Sequence, residues 1–311
     1  MKKKINVAIL GTGNIGTDLL LKIFKSKYLN CILFSGRSSS SPGLRKFKKL
    51  LSKKATRKKY SNLIISNKSV KALEDRSQEF DVIFDCTSAK FHSQNKIIFK
   101  KLGKKIINLT PTNDGYMCVP VINLEECNHS IELNMISCGA QSCVPVAYAL
   151  SKIFKNRIKY IESVSTISSK SAGPATRLNL DEYIYSTQRA INYFSGVKVS
   201  KAILNINPAV PYINMQTTTY AKLAKGKINK FELDKFKSLL HFTVSKVKKY
   251  VKGHKIIIEP MIIDSVIMIT TKTIGQGDFL PKYAGNLDII TCAAIAAGEH
   301  YAKQLQKNNN K

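Results

Sequence analysis

Val7-Ala8-Ile9-Leu10-Gly11-Thr12-Gly13-Asn14-Ile15-Gly16 is an apolar run that breaks into glycines spaced G-x-G-x-x-G. The run from Ile5 to Leu10 predicts a buried strand, and the residues from Asn14 to about Ser26 predict a helix. In that setting each glycine has a physical task. Gly11 allows a tight turn, Gly13 lets the backbone approach a pyrophosphate, and Gly16 permits close helix packing. A dinucleotide's pyrophosphate would sit on the N–H groups that open the helix. A purely structural turn, or a turn for another nucleotide, has the same spacing.

Outward from this turn the first half alternates strand and helix signals. Asn30–Ser35, Leu63–Ser66, Asp81–Cys86, Lys105–Leu109 and Leu133–Ser137 are short apolar runs with helical stretches between them. That pattern predicts an α/β fold, a Rossmann-type doubly wound parallel sheet with helices on both faces. Beyond Cys138 the rhythm changes. Val144 to about Phe154, Leu180–Phe194 and Lys230–Val251 predict helices, and Lys159–Ile167 alternates as an antiparallel strand does. Ala202–Ile206, Ile256–Pro260 and Val266–Thr273 predict further strands, so the second region is expected to be α+β. An alanine-rich helix from Asn286 to about Gln304 is expected to return to the first domain. Lys307-Asn308-Asn309-Asn310-Lys311 is expected to fray.

The chain has 311 residues, 44% of them hydrophobic, which is enough for two domains with real cores. No apolar run nears the ~20 residues of a membrane span. Met1-Lys2-Lys3-Lys4 precedes too short an apolar stretch for a signal peptide, so a cytoplasmic protein is expected. The seven cysteines are scattered, odd in number and form no CxxC pair, which fits a reducing compartment and predicts neither disulfides nor a metal site. The net charge of +30 admits two readings. One is nucleic-acid binding. The other is a general drift to lysine, and the dense run from Arg45 to Lys59 supports it. That run sets Leu44, Phe47, Leu50 and Leu51 on one side at helical spacing, as a solvated helix does.

Cys138 follows the apolar run that ends at Ser137, and a helical stretch comes after it. A thiol at a helix N-terminus faces unpaired N–H groups and the positive end of the dipole, both of which favour thiolate. A buried core cysteine fits the position equally well. Cys143 is the rival thiol, placed where it should pack. A nicotinamide site with an activated thiol suggests oxidation of an aldehyde through a thioester. Ser168 to Arg177 is a loop of small residues with one lysine and one arginine, suited to holding a cofactor amide or phosphate. Thr87 and Ser88, at the end of the fourth strand, lie where a cofactor crevice opens, or in a plain loop. The second strand ends Ser35-Gly36-Arg37 with no carboxylate for a ribose hydroxyl, so NAD and NADP both stay open. None of the five histidines is assigned a catalytic task.

These segments together resemble the acylating acetaldehyde dehydrogenase family, the partner of 4-hydroxy-2-oxovalerate aldolase. The matching stretches are the glycine turn, Leu109-Thr110-Pro111, Asn134 to Gln141, Ser165 to Arg177, Asn207-Pro208-Ala209 and Tyr283 to Ile289. The resemblance implies a fold similar to glyceraldehyde-3-phosphate and semialdehyde dehydrogenases. It implies an NAD-binding domain of residues 1–137 plus 283–311, and a catalytic and dimerisation domain of residues 138–282. It implies that Cys138 carries the acyl group, and that NAD is held by Gly11, Thr12, Gly13, Asn14, Ile15 and Gly16. Ser169, Lys170, Ser171, Ala172, Gly173, Pro174, Ala175, Thr176, Arg177 and Asn286 complete that set. Coenzyme A is the implied co-substrate, acetaldehyde the implied aldehyde, and a homodimer within an aldolase complex the implied assembly.

One stretch departs from the family. Where it carries Arg-Asp-Thr after the Asn-Pro-Ala element, this chain reads Gln216-Thr217-Thr218, so a threonine replaces a carboxylate that assists the thiol. The alternatives are a semialdehyde or acyl-phosphate reductase of the same fold, or a catalytically impaired basic scaffold. The first would need paired arginines, and after Cys138 only Arg157, Arg177 and Arg189 remain.

Overall fold

The structure is a computed structural model that describes residues 4–38, 40–52, 60–173, 176–177, 179–224 and 228–308. Pro174, Ala175, residues 53–59 of the basic stretch and residues 309–311 of the polar end lie outside the described residues. The chain divides into two compact units. Unit 1 holds residues 1–118, 124–135 and 294–311, and unit 2 holds residues 119–123 and 136–293.

Unit 1 is built on β1 (Ile5–Leu10), α1 (Asn14–Ile23), β2 (Leu29–Ser35), α2 (Pro42–Leu51), β3 (Ile64–Ser66) and α3 (Lys71–Asp75). It continues through β4 (Val82–Asp85), α4 (Ala89–Leu102), β5 (Lys105–Asn108), β6 (Tyr116–Met117) and β7 (Glu132–Asn134). The seven strands order as β3-β2-β1-β4-β5-β7-β6, and every neighbouring pair is parallel. The strands read as continuous apolar runs because both faces are covered. Ala8, Leu10, Leu33, Ile83 and Ile106 pack against Ala72 of α3 and Phe99 of α4. On the other face Phe34 meets Phe47 of α2 edge-on. There too Gly298 of the final helix lies so close to Phe84 that a Cβ would stand 2.7 Å from its ring. That helix, expected to return, does so, and the Ser26 hydroxyl donates to Glu299 at 2.6 Å.

In α2 the basic residues Arg45, Lys46, Lys48 and Lys49 face solvent while Leu44 and Phe47 are buried. Leu50, expected on the packed side, is exposed, and Leu51 is half-buried. The sixth expected strand is shorter than predicted: β7 stops at Asn134, and β6 adds an outer edge strand that had no sequence signal.

Unit 2 carries α5 (Pro120–Asn123), α6 (Cys138–Phe154), β8 (Ile158–Ser168), α7 (Leu180–Ser195), β9 (Ser200–Asn207) and β10 (Met215–Leu223). It then carries α8 (Lys230–Tyr250), β11 (His254–Ile263), β12 (Val266–Thr273) and the start of α9 (Gly285–Asn308). Its sheet orders as β11-β12-β10-β8-β9. All neighbours are antiparallel except β8 and β9, which the α7 crossover makes parallel. The expectations corrected here are three. The helix after the thiol starts at Cys138 rather than Val144 and carries Pro145 inside it. An unexpected strand, β10, runs through Gln216-Thr217-Thr218 at the centre of the sheet. The last helix continues past Gln304 to Asn308.

A buried ionic cluster ties the strands of unit 1 together. His92 of α4, fully buried, places Nδ1 at 2.8 Å from Asp85 and Nε2 at 3.0 Å from Glu132. Burial opposes its charge, but the hydrogen bonds to Asp85 and Glu132 outweigh that and raise its pKa to about 9. Such a group stabilises the fold fully below its ordinary value of 6.5, and the contribution is lost as pH rises through 9. Urea unfolding of the wild type should therefore show stability falling between pH 7 and pH 9.5. His92→Gln should flatten that dependence. It should also cost about 3 kcal/mol at pH 6.5, because buried Asp85 and half-buried Glu132 lose their cation.

Candidate active site

The glycine turn of unit 1 has the geometry of an anion cradle. Gly11 has φ +108°, and a Cβ there would stand 2.5 Å from the Cys86 carbonyl. A Cβ at Gly16 would stand 1.9 Å from the Gly11 carbonyl, so these two positions exclude larger residues on packing grounds alone. Gly13 differs: a Cβ there would meet nothing within 4 Å, and Gly13 and Asn14 are exposed. Helix α1 opens with no side-chain cap and no acidic residue in its first turn, which leaves its N–H groups available to an anion. The Ser41 hydroxyl donates to the Thr12 carbonyl at 2.6 Å and so ties the turn to α2. Arg37 stacks over Phe91 at 5.1 Å. Thr87 is bound to Asp85 through both its N–H and its hydroxyl, and the Ser88 hydroxyl caps α4 by accepting from Phe91.

In unit 2, Cys138 is the first residue of α6. The chain reaches it through Ile136, a buried β-branched residue held at φ +66°. Backbone in that region costs about 1–3 kcal/mol and marks a junction that the surrounding structure enforces. Ser137 then returns to extended geometry, and its hydroxyl caps the helix by accepting from Ala140 at 3.0 Å. The same hydroxyl lies 2.7 Å from the Thr187 hydroxyl of α7. Cys138 is thus fixed from both sides.

Burial works against the thiolate that the helix terminus favours. Burial pushes the Cys138 thiol up to about 11, against the N–H of Gly139, the Tyr183 hydroxyl and its own N–H, which pull it down. The helix terminus acts in the expected direction but is outweighed by desolvation. Cys143 is worse placed: it is fully buried, and burial holds it at about 12 while the Ser163 hydroxyl pulls the other way. Of the two thiols only Cys138 is partly open.

Thr217 is buried on β10, directly opposite Ser165 of β8, and the two hydroxyls lie 3.1 Å apart. The position is therefore polar and inside the site, but it holds no carboxylate. Among the loop residues, Ser171 donates its hydroxyl to the Ser168 carbonyl at 2.8 Å, and Ala172 is buried. Ser169, Gly173 and Thr176 are half-buried, and Lys170 and Arg177 are exposed. Ala172 and Ile289 belong to one apolar cluster with Ile167 and Met215, and Cys138 packs against it. The structure so gathers the thiol, the loop and the start of α9 in one region of unit 2. Asn286 is buried there, and its Oδ1 accepts no hydrogen bond from any described residue.

Tyr183 was missed by sequence reasoning. Its hydroxyl occupies the space that a side chain at residue 139 would need: a Cβ on Gly139 would stand 2.0 Å from it. The only signal for it was Gly139 itself, since glycine at the second position of a helix marks a close approach.

Residues 138–281 match a family described as prokaryotic acetaldehyde dehydrogenase, dimerisation. An acetaldehyde dehydrogenase of Spirochaeta aurantia is 44% identical over 301 residues, 97% of this chain and 96% of that protein. One from Pectobacterium atrosepticum is 42% identical over 96% of each chain. One from Burkholderia thailandensis is 41% identical over 96% of this chain and 94% of its own. With that identity sustained along nearly its whole length, the chain belongs to the acetaldehyde dehydrogenase family.

Proposed function

We propose that this protein converts acetaldehyde and coenzyme A to acetyl-CoA with reduction of NAD. The observation that carries the reading is Cys138, a half-open thiol at the first position of α6, fixed by the strained Ile136 and the Ser137 cap. The residues fit NAD. The open space over Gly13 and the uncapped end of α1 suit a pyrophosphate, and the orphaned Asn286 Oδ1 suits an amide N–H. Ser169, Lys170, Gly173, Thr176 and Arg177 supply further donors and a cation. When bound, NAD supplies the hydride acceptor.

The protein's own part follows from the site. The Cys138 sulfur adds to the aldehyde carbon, and the thiol proton ends on the carbonyl oxygen, which gives a thiohemiacetal. Backbone N–H groups at the start of α6 stabilise charge on that oxygen, an interaction worth about 3 kcal/mol per donor. Loss of hydride and a proton leaves an acyl thioester on Cys138. The thiol of coenzyme A attacks the thioester carbon and releases acetyl-CoA, and Cys138 regains its proton.

The same reading covers assembly and setting. The edge strand β11 exposes Ile257, Ile258, Met261, Ile262 and Ile263, an apolar strip beside unpaired backbone groups. Such an edge calls for a second copy of the chain, in a homodimer. Among the described residues no helix is long and apolar enough to cross a membrane. We assign the enzyme to the cytoplasm, with 4-hydroxy-2-oxovalerate aldolase as the source of its aldehyde in aromatic-compound breakdown.

Three experiments test this reading. Cys138→Ser should abolish coenzyme-A-dependent NADH formation, and Cys143→Ser should retain most of it; the reverse result overturns the assignment. Gly13→Val should keep the wild-type melting temperature, since the added side chain meets open space, yet weaken NADH binding at least tenfold, about 1.4 kcal/mol or more. Ile262→Lys should turn the dimer into monomer in analytical ultracentrifugation, because it buries a charge in an apolar contact.

A further inference from the structure

The catalytic role that Thr217 cannot fill leaves the question of what stabilises the reactive sulfur. Tyr183 is nine-tenths buried on α7, and its hydroxyl makes no hydrogen bond of good geometry with any described residue. An unpaired buried phenol is costly unless it has a task. Its surroundings are the sulfur of Cys138 and the hydroxyl of Ser165, and that hydroxyl in turn meets Thr217. The place is prepared for it. Gly139 lacks the Cβ that would stand 2.0 Å from the phenol oxygen and 3.4 Å from the Ser165 oxygen. One turn along α7, Thr187 is tied to the Ser137 cap, which fixes α7 against the start of α6.

We propose that Tyr183 is a catalytic residue of this enzyme, whose hydroxyl donates a hydrogen bond to the Cys138 sulfur. The inference rests on the reading of Cys138 as the acyl carrier. Burial keeps the phenol protonated, with its pKa well above the usual value, so it serves as a donor across the working pH range. A donor to sulfur favours the anion over the thiol and so offsets part of the desolvation that holds Cys138 at about 11. The same proton is placed to follow negative charge as it builds on sulfur while coenzyme A displaces the acyl group. The titratable groups facing Cys138 are Tyr183 from α7 and Cys143 from α6 itself; strands β8 and β10 present Ser163, Ser165 and Thr217, which carry no charge.

The test is the pH dependence of alkylation at Cys138 by iodoacetamide, read by peptide mass, in wild type, Tyr183→Phe and Gly139→Ala. Tyr183→Phe removes only the hydroxyl, and the methyl of Gly139→Ala forces the hydroxyl away. Both should move the alkylation profile to higher pH and slow reaction at pH 7.5 by about ten- to a hundredfold, the worth of a hydrogen bond to a charged group. Steady-state kcat should fall with them, while KM for NAD stays near the wild-type value. A profile superimposable on wild type in either folded variant overturns the proposal. Cys138→Ser separates the two levels. If that variant stays active, the acyl-carrier reading itself is wrong; if it is dead while Tyr183→Phe titrates as wild type, only the role of Tyr183 is lost.

Discussion

A β-branched residue in left-handed backbone holds this site together. Ile136 at φ +66° turns the chain sharply between β7 and α6, so that Ser137 caps the helix and Cys138 becomes its first residue. The strain, about 1–3 kcal/mol, is offset by burying Ile136 and by the hydroxyl pair of Ser137 and Thr187. Without that turn the sulfur would continue along a strand and face a sheet neighbour instead of helix N–H groups.

The first domain was legible because its signals are redundant. Apolar runs, a glycine turn and helical stretches recur in one order, and the parallel sheet follows from their alternation. What escaped notice did so for physical reasons. Strand β10 reads Met215-Gln216-Thr217-Thr218-Thr219-Tyr220, and two of its buried positions, Thr217 and Thr219, are threonines. Threonine favours strands through its branched Cβ yet scores as polar, so a hydropathy pattern passes over it. Such a hydroxyl is tolerated inside because it pairs across strands, as Thr217 does with Ser165 at 3.1 Å. Strand β6 has two residues and owes its place entirely to β7.

The site was legible in part. Cys138 and the glycine turn stood out because few residue types can do their work. The ionisation of Cys138 did not, since it depends on how many atoms crowd the sulfur, and no local spacing reports that. Helix-terminus reasoning identifies one contribution that lowers the pKa, and burial opposes it. Tyr183 lies 45 positions along the chain from Cys138, and only the packing of α7 on α6 brings them together. A threonine at the family's carboxylate position looked like a loss when read alone. In the fold it is buried and paired with the Ser165 hydroxyl.

The protonated resting state of Cys138 has a consequence for durability. Peroxides attack thiolates, and a sulfur that keeps its proton at neutral pH offers them little. An enzyme whose nucleophile forms its anion only as substrate arrives is shielded from sulfinic and sulfonic damage between turnovers. The other buried thiols, such as Cys31 and Cys143, are guarded in the same manner by their surroundings.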